Sequence, residues 1–337
     1  MSLNTPLTRC FPAVETPTLR QVWPSPHPNL PTAVTLFSGL GSASKALRDL
    51  GFRVLAHDFM REACSSLVEN GFDVVQGDIR AVDFSDPIYR NVQVVVGGPP
   101  CQPFSQGGRN AGENDPRDMI PDFQRCVAEI LPRFFILENV RGLASPRHKD
   151  YLERRVAEFE AIGYTVEWKV LDSADHGVGQ SRKRLFLMGV RVDVLADRAR
   201  DPFEWRSKPI IWPHRKRQRT MADVLGWTPT TCRERNLLAP EAAHDDEKAL
   251  WPMARPATTV VGSFRPEVQA APGYRSAGDG PRQNAPGSVV TTPEERLVLQ
   301  GMPRDWKVVG SKGKVDLQIG NSCPNPLLNA LLIGNVR

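Results

Sequence analysis

Short apolar runs alternate with helix-like stretches from Ala33 to Val190, and this alternation most constrains how the chain can fold. "AVTLF" (33–37) reads as a buried strand and "SASKALRDL" (42–50) as a helix. "RVLAH" (53–57) and "MREACSSLVEN" (60–70) repeat the pair. "DVV" (73–75), "VQVVV" (92–96) and "RFFIL" (133–137) are further short strands, with helical stretches near 118–131 and 150–162. "YTVEWKVL" (164–171) and "RLFLMGV" (184–190) end the series. Strands alternating with helices predict an α/β architecture, a doubly wound and mostly parallel sheet with helices on both faces.

The flanks differ. Residues 1–31 hold seven prolines and little periodicity, which predicts an extended arm. Residues 191–290 are rich in Pro, Arg, Gly and Thr and show few clear elements, which predicts a second, smaller, irregular domain. Helix-like patterns return at "TPEERLVLQ" (292–300) and "NPLLNALL" (325–332). The first domain is therefore expected to comprise 32–190 plus 291–337.

Composition excludes several classes. With 40% hydrophobic and 24% charged residues the chain has a soluble globular balance. No apolar run approaches the roughly 20 residues of a membrane span, and the N-terminus lacks a signal-peptide pattern. The six cysteines are scattered with no Cys-x-x-Cys pair, so neither a zinc site nor a disulfide framework is expected and a reducing cytoplasm fits. The net charge of +5 is compatible with nucleic acid without requiring it. Its placement says more: "WRSKPIIWPHRKRQRT" (205–220) holds seven Lys, Arg and His residues and no acid. That run reads either as a solvated basic face or, with Trp205 and Trp212, as a phosphate-contacting surface.

In an open parallel sheet, ligands bind beyond the carboxyl ends of the strands. The first strand leads into "SGLGSAS", where Gly39 and Gly41 would let a ligand approach the backbone. Alone this is weak, because the third glycine of the dinucleotide fingerprint is missing. Asp58 follows the second strand, where an acid can accept ribose hydroxyls. Asp78 follows the third and Glu138 the fifth. After the fourth comes "VVVGGPPCQPFSQGG", which sets Cys101 on a Pro-Pro turn. A free cysteine is more often a small buried hydrophobe. Beside three strand-end acids and a Gly-Leu-Gly turn, it instead suggests a nucleoside-containing cofactor lying across a crevice from a thiol and a carboxylate.

The chain resembles the C5-cytosine DNA methyltransferases. "TLFSGLGSASKAL" is similar to their first motif and "GGPPCQPFSQGGRNAGENDPR" to their catalytic motif. "ILENVRGL", "QSRKRLF" and "QIGNSCPNPL" are similar to three later motifs, in the family's order. The resemblance covers 33–190 and about 291–333, roughly two thirds of the chain. It implies a Rossmann-like methyltransferase fold and S-adenosylmethionine as donor, with S-adenosylhomocysteine as product. Cys101 would be the nucleophile, Glu138 would bind N3 and the amine of the target cytosine, and Arg182 and Arg184 would lie near its carbonyl and sugar-phosphate. Two apart, these arginines would face one side of a strand. Phe37, Ser38, Gly39, Leu40, Gly41 and Pro100 would border the cofactor, with Asp58 on the ribose, Phe59 stacked near the adenine, and Asp78 and Ile79 at its edge. Asn321 and Ser322 would return to this pocket. Thr35 and Ser42 depart from the family pattern, where an acid and a glycine are common.

The target base must be flipped out of the duplex. Residues 105–117, beginning Ser105-Gln106, have the composition of a loop that closes over DNA behind Cys101. In the family the interval matching 191–290 reads the DNA target. Arg215, Lys216, Arg217 and Arg219 are expected on phosphates, and Arg255, Arg265 and Arg275 on bases. The expected partners are double-stranded DNA and a cognate restriction endonuclease, for a monomer in a bacterial or phage-infected cytoplasm, at the nucleoid. Three other readings compete with this one. An RNA-methylating relative would carry a Cys-Phe-Thr signature, which is missing here. A catalytically dead relative would be expected to lose Cys101 or Glu138. A nicotinamide-dependent dehydrogenase would leave Cys101, Glu138 and the arginine pair without a role.

Overall fold

The computed structural model describes residues 32–100, 117–198, 210–234, 253, 255–262, 268–269 and 289–336. Seven strands form one sheet: β1 Thr32–Leu36, β2 Arg53–Asp58, β3 Asp73–Gln76, β4 Val92–Gly97, β5 Phe134–Val140, β6 Tyr164–Asp172 and β7 Lys183–Arg191. Their order is β3-β2-β1-β4-β5-β7-β6. The first five pair in parallel, and β7 inserts antiparallel between β5 and β6. The chain winds outward from β1 to β3, then returns to lay β4 on the other side of β1. That reversal is a topological switch point, and in open α/β sheets ligands bind outside the carboxyl ends of the strands at such a point, here those of β1 and β4.

The core explains the continuous apolar reading of these strands. Successive residues of each strand point to opposite faces. Ala33, Val94 and Ile136 join one buried cluster, and Val34, Val95 and Phe135 join the other. A strand buried on both faces shows no polar alternation. On the second face Phe135 stacks on Phe159 at 4.5 Å between centroids. On the first face the C-terminal helix Asn325–Ile333 contributes Leu327, Leu328, Leu331 and Leu332. Among the described residues, no helix is long and apolar enough to cross a membrane.

Described parts of the interval 191–290 also reach this cluster, through Ile210, Met221, Leu225, Cys232, Ala257 and Val260. The stretch 255–262 runs beside 179–182. Ser181 N donates to Ala257 O at 2.8 Å, and Ala257 N to Gly179 O at 2.7 Å. The amide of Gln180, fully buried, accepts from Val260 N at 2.7 Å and donates to Leu299 O at 2.9 Å. Gly320 fits against Gly262 so closely that a Cβ on Gly320 would lie 1.9 Å from Gly262 N.

Most strand limits differ from the sequence reading by a residue or more, and three of the differences bear on the site and have a local reason. β1 stops at Leu36, because Phe37 adopts φ 54 and leaves the extended region. β5 continues through Glu138 to Val140, because antiparallel β7 goes on pairing after β4 has ended opposite Leu137. β7 begins at Lys183, so Arg182 precedes the strand and shares no strand face with Arg184. The N-terminal arm, Cys101, Ser105, Gln106, Trp205, Arg265 and Arg275 lie outside the described residues.

Candidate active site

The turn after β1 is held from three sides. Ser38 N donates to His57 O at 3.0 Å, and Gly41 N to Ser38 O at 2.8 Å. Asp58, the last residue of β2, accepts from Gly39 N at 2.7 Å and Met60 N at 2.8 Å. Trp306 Nε1 donates to Leu40 O at 2.9 Å, and Asn325 Nδ2 to Ser42 O at 2.9 Å. Gly39 and Gly41 stand at φ 51 and 90. A Cβ on Gly41 would lie 2.8 Å from Leu67 Cδ2, so both the backbone and the space require glycine there.

This edge suits an adenosyl group. Phe59 is 76% exposed directly after β2, a large apolar ring left open to solvent. Burial pushes the Asp58 carboxyl above its usual range, against the backbone donors that lower it. A carboxylate offers about four acceptor positions, so two hydrogen bonds leave room for ribose hydroxyls. Asp78 follows β3, caps the turn Ile79–Ala81 and is gripped by Arg80, which holds its carboxyl below the usual range. Ile79 is buried in the core. Asn321 ends the helix Lys312–Asn321 on an exposed surface, and Ser322, buried, donates to Cys323 O at 3.2 Å.

Glu138 sits on the overhang of β5, across from the turn that follows β4. Its Oε1 is 3.1 Å from Arg184 Nε, and both side chains are largely buried. Its Oε2 would be 3.0 Å from a Cβ on Gly98, so the bare backbone of Gly98 lets the carboxyl lie against the β4 turn. Asn139 Nδ2 ties that turn down by donating to Pro99 O at 3.3 Å, and half-buried Pro100 is the last described residue of the loop. Burial raises the Glu138 pKa, outweighing attraction to Arg184 and Arg182. Arg182, buried, donates from Nη1 to Val260 O at 2.9 Å. Both arginines thus bear on Glu138, one through a direct ion pair and one through its field. The turn at Cys323 lies in the same field: the thiol is raised first by burial, then by the Glu138 charge.

Sequence reasoning passed over Gly98, Asn139, Gln180 and Trp306. Gly98, Asn139 and Gln180 lie inside the quoted motifs, but only tertiary contacts reveal their roles. Of the expected DNA contacts, Arg215, Lys216, Arg217 and Arg219 lie together on an exposed stretch. Arg255 is exposed a short way off, its carbonyl accepting from Met221 N at 2.9 Å.

Comparison with known proteins bears on this geometry. A family model described as C-5 cytosine-specific DNA methylase matches residues 32–333. The chain is 27% identical over 317 residues to the Type II methyltransferase M.NgoMIV of Neisseria gonorrhoeae, covering 89% of this chain and 95% of the relative. It is 30% identical over 321 residues to Type II methyltransferase M.NgoFVII of the same organism, covering 88% and 84%. Among solved structures, a substituted Spodoptera frugiperda DNMT2 is similar in fold, with a TM-score of 0.62 at 17% identity, over 91% of this chain and 100% of that one.

Proposed function

This chain belongs to the C-5 cytosine-specific DNA methylase family, and we propose on that premise that it methylates a flipped-out cytosine through a covalent Cys101 adduct. The family methylates cytosine in DNA, and S-adenosylmethionine supplies the electrophilic methyl group. The observation that carries the proposal is Glu138, a carboxyl made easier to protonate by burial and set between Arg184 and the turn leading to Cys101.

C5 of cytosine is a poor nucleophile. The Cys101 thiolate adds to C6, and the electron pair of the 5,6 double bond becomes available at C5. Glu138 donates a proton at N3 as charge builds in the ring, and Arg184 keeps the carboxyl aimed. C5 is then nucleophilic toward the donor's methyl group, and the donor would depart as S-adenosylhomocysteine, its sulfur keeping the pair of the broken S–CH3 bond. A base removes the C5 proton, Glu138 takes back the proton at N3, the double bond re-forms, and Cys101 leaves as thiolate. Asp58 would hold the donor by its ribose, Phe59 would stack near its adenine, and Phe37 and the Gly39–Gly41 turn would border it. The interval 191–290 reads the DNA target, with Arg215, Lys216, Arg217 and Arg219 on phosphates. The Type II names of the Neisseria relatives support pairing with an endonuclease that cuts the unmethylated site.

DNA containing 5-fluorocytosine at the target tests the adduct, because fluorine does not leave as a proton does. The wild-type protein should be trapped covalently, and Cys101→Ala should lose the trapped species while still binding S-adenosylmethionine. Undiminished trapping in Cys101→Ala would overturn the assigned nucleophile.

A further inference from the structure

The basic run contains no acid of its own, yet an acid is built into its surface from elsewhere in the chain. Asp175 lies in the turn Ser173–His176 that directly follows β6. Its carboxylate accepts from Gln218 Nε2 at 2.8 Å and pairs with Arg215 Nη2 at 2.9 Å. Its backbone carbonyl accepts from Lys216 N at 2.7 Å. The Asp175 side chain is only 14% exposed, whereas Arg215 is 84% exposed. One residue therefore grips the basic stretch at three points, residues 215, 216 and 218.

The ends of the stretch are anchored separately. Trp212 Nε1 donates to Glu167 Oε2 at 2.7 Å, and Lys169 Nζ lies 4.8 Å from the Trp212 ring centroid. Thr220 caps the helix Met221–Leu225 with a full capping box. Between these anchors, residues 214–219 are all exposed. The grip also places the stretch. Asp172, three residues before Asp175, is in register with Lys183, and the next residue, Arg184, is in register with Val140, two residues past Glu138. The strap thus crosses the same sheet edge as the candidate catalytic carboxyl.

An acid beside several cations weakens their attraction for phosphate if charge alone matters. Its value must then be geometric: a pinned backbone holds cations at fixed spacing, and ordering them in advance removes an entropic cost of binding. We propose that Asp175 is a positioning residue that holds the 214–219 strap as a preformed track for the sugar-phosphate backbone of duplex DNA. This rests on the reading of the strap as a phosphate surface. Arg215 gives Nη2 to the tether and, being exposed, still faces the phosphates beside Lys216, Arg217 and Arg219.

The two roles of an acid here predict opposite signs. Binding of a random-sequence duplex is measured by fluorescence anisotropy across about 50–200 mM salt. Asp175→Ala should weaken binding about three- to tenfold and lower the salt slope by about one, because one phosphate contact contributes about 0.9. Asp175→Asn keeps an acceptor for Gln218 and should lose less. S-adenosylmethionine affinity, read by calorimetry, should stay unchanged in both. Tighter or unchanged DNA binding by Asp175→Ala would overturn the inference, since the acid would then be a competitor for Arg215 or a bystander. Should Asp175→Ala fail to fold, Asp175→Asn carries the same test of sign. The double variant Lys216→Ala/Arg217→Ala separates the two levels. It should weaken binding and lower the slope by up to about two. If it does neither, the phosphate reading of the strap fails, whatever Asp175 does.

Discussion

His57 should make this fold acid-sensitive by a calculable amount. It lies on β2 immediately before Asp58 and is 1% exposed. Its ring packs near Phe84 and Tyr89, with Nε2 3.2 Å from the Tyr89 hydroxyl. Burial lowers its pKa from 6.5 to about 3. The unfolded chain therefore takes up a proton below 6.5 that the folded chain refuses until about 3. Across that window the unfolded state binds more protons, so stability falls as pH falls. Each pH unit costs about 1.4 kcal/mol, and at about pH 5 roughly 1.5 units have been crossed, which gives about 2 kcal/mol. Urea unfolding at neutral pH and at about pH 5, for the wild type and for His57→Gln, isolates this contribution from all other titrations. Glutamine keeps an acceptor for Tyr89 and cannot be charged. The variant should be weaker at neutral pH from altered packing, yet lose about 2 kcal/mol less on acidification. Equal losses in both proteins would refute the argument.

Glu138→Gln removes the proton offered to N3 and should slow single-turnover methylation about 10²–10⁴-fold with little change in DNA affinity. In the wild type that rate should persist to higher pH than an ordinary carboxyl allows and fall as pH rises through the raised value, which a single-turnover pH profile reads directly. Gly41→Ala combines a left-handed backbone cost of about 1–2 kcal/mol with a clash against Leu67, and should lower both the melting temperature and S-adenosylmethionine affinity. Gly51→Ala has the same φ of 90 with nothing within 4 Å, so its melting temperature reports the backbone cost alone. Arg296 and Asp316 form a buried ion pair, and Arg296→Met should cost about 3–5 kcal/mol in urea unfolding by removing the cation that faces a buried carboxylate.

The wound sheet was legible in the sequence because strands buried on both faces must read as continuous apolar runs, and because helices between them force parallel pairing. The strand-end residues Gly39, Gly41, Asp58 and Asp78 were legible for the same reason: whatever follows a parallel strand lands on one edge. Tertiary contacts decided the rest. The strand limits at Phe37 and Glu138 depend on a left-handed φ and on how far an antiparallel neighbour goes on pairing, and neither leaves a mark on local composition. Arg182 and Arg184 read as one pair, yet one binds a carbonyl 78 residues away and the other binds Glu138. Gly98 carries no signal of its own in the sequence, and its role exists only because β5 brings the Glu138 carboxyl against it. Asp175 gives no signal in its own neighbourhood, because its partners lie 40 to 43 positions further on. Sequence alone determined which residues share an edge, since strand direction and alternation are local properties of the backbone. Only the folded structure decided which of them touch, since hydrogen bonds and ion pairs depend on distances that chain closure sets.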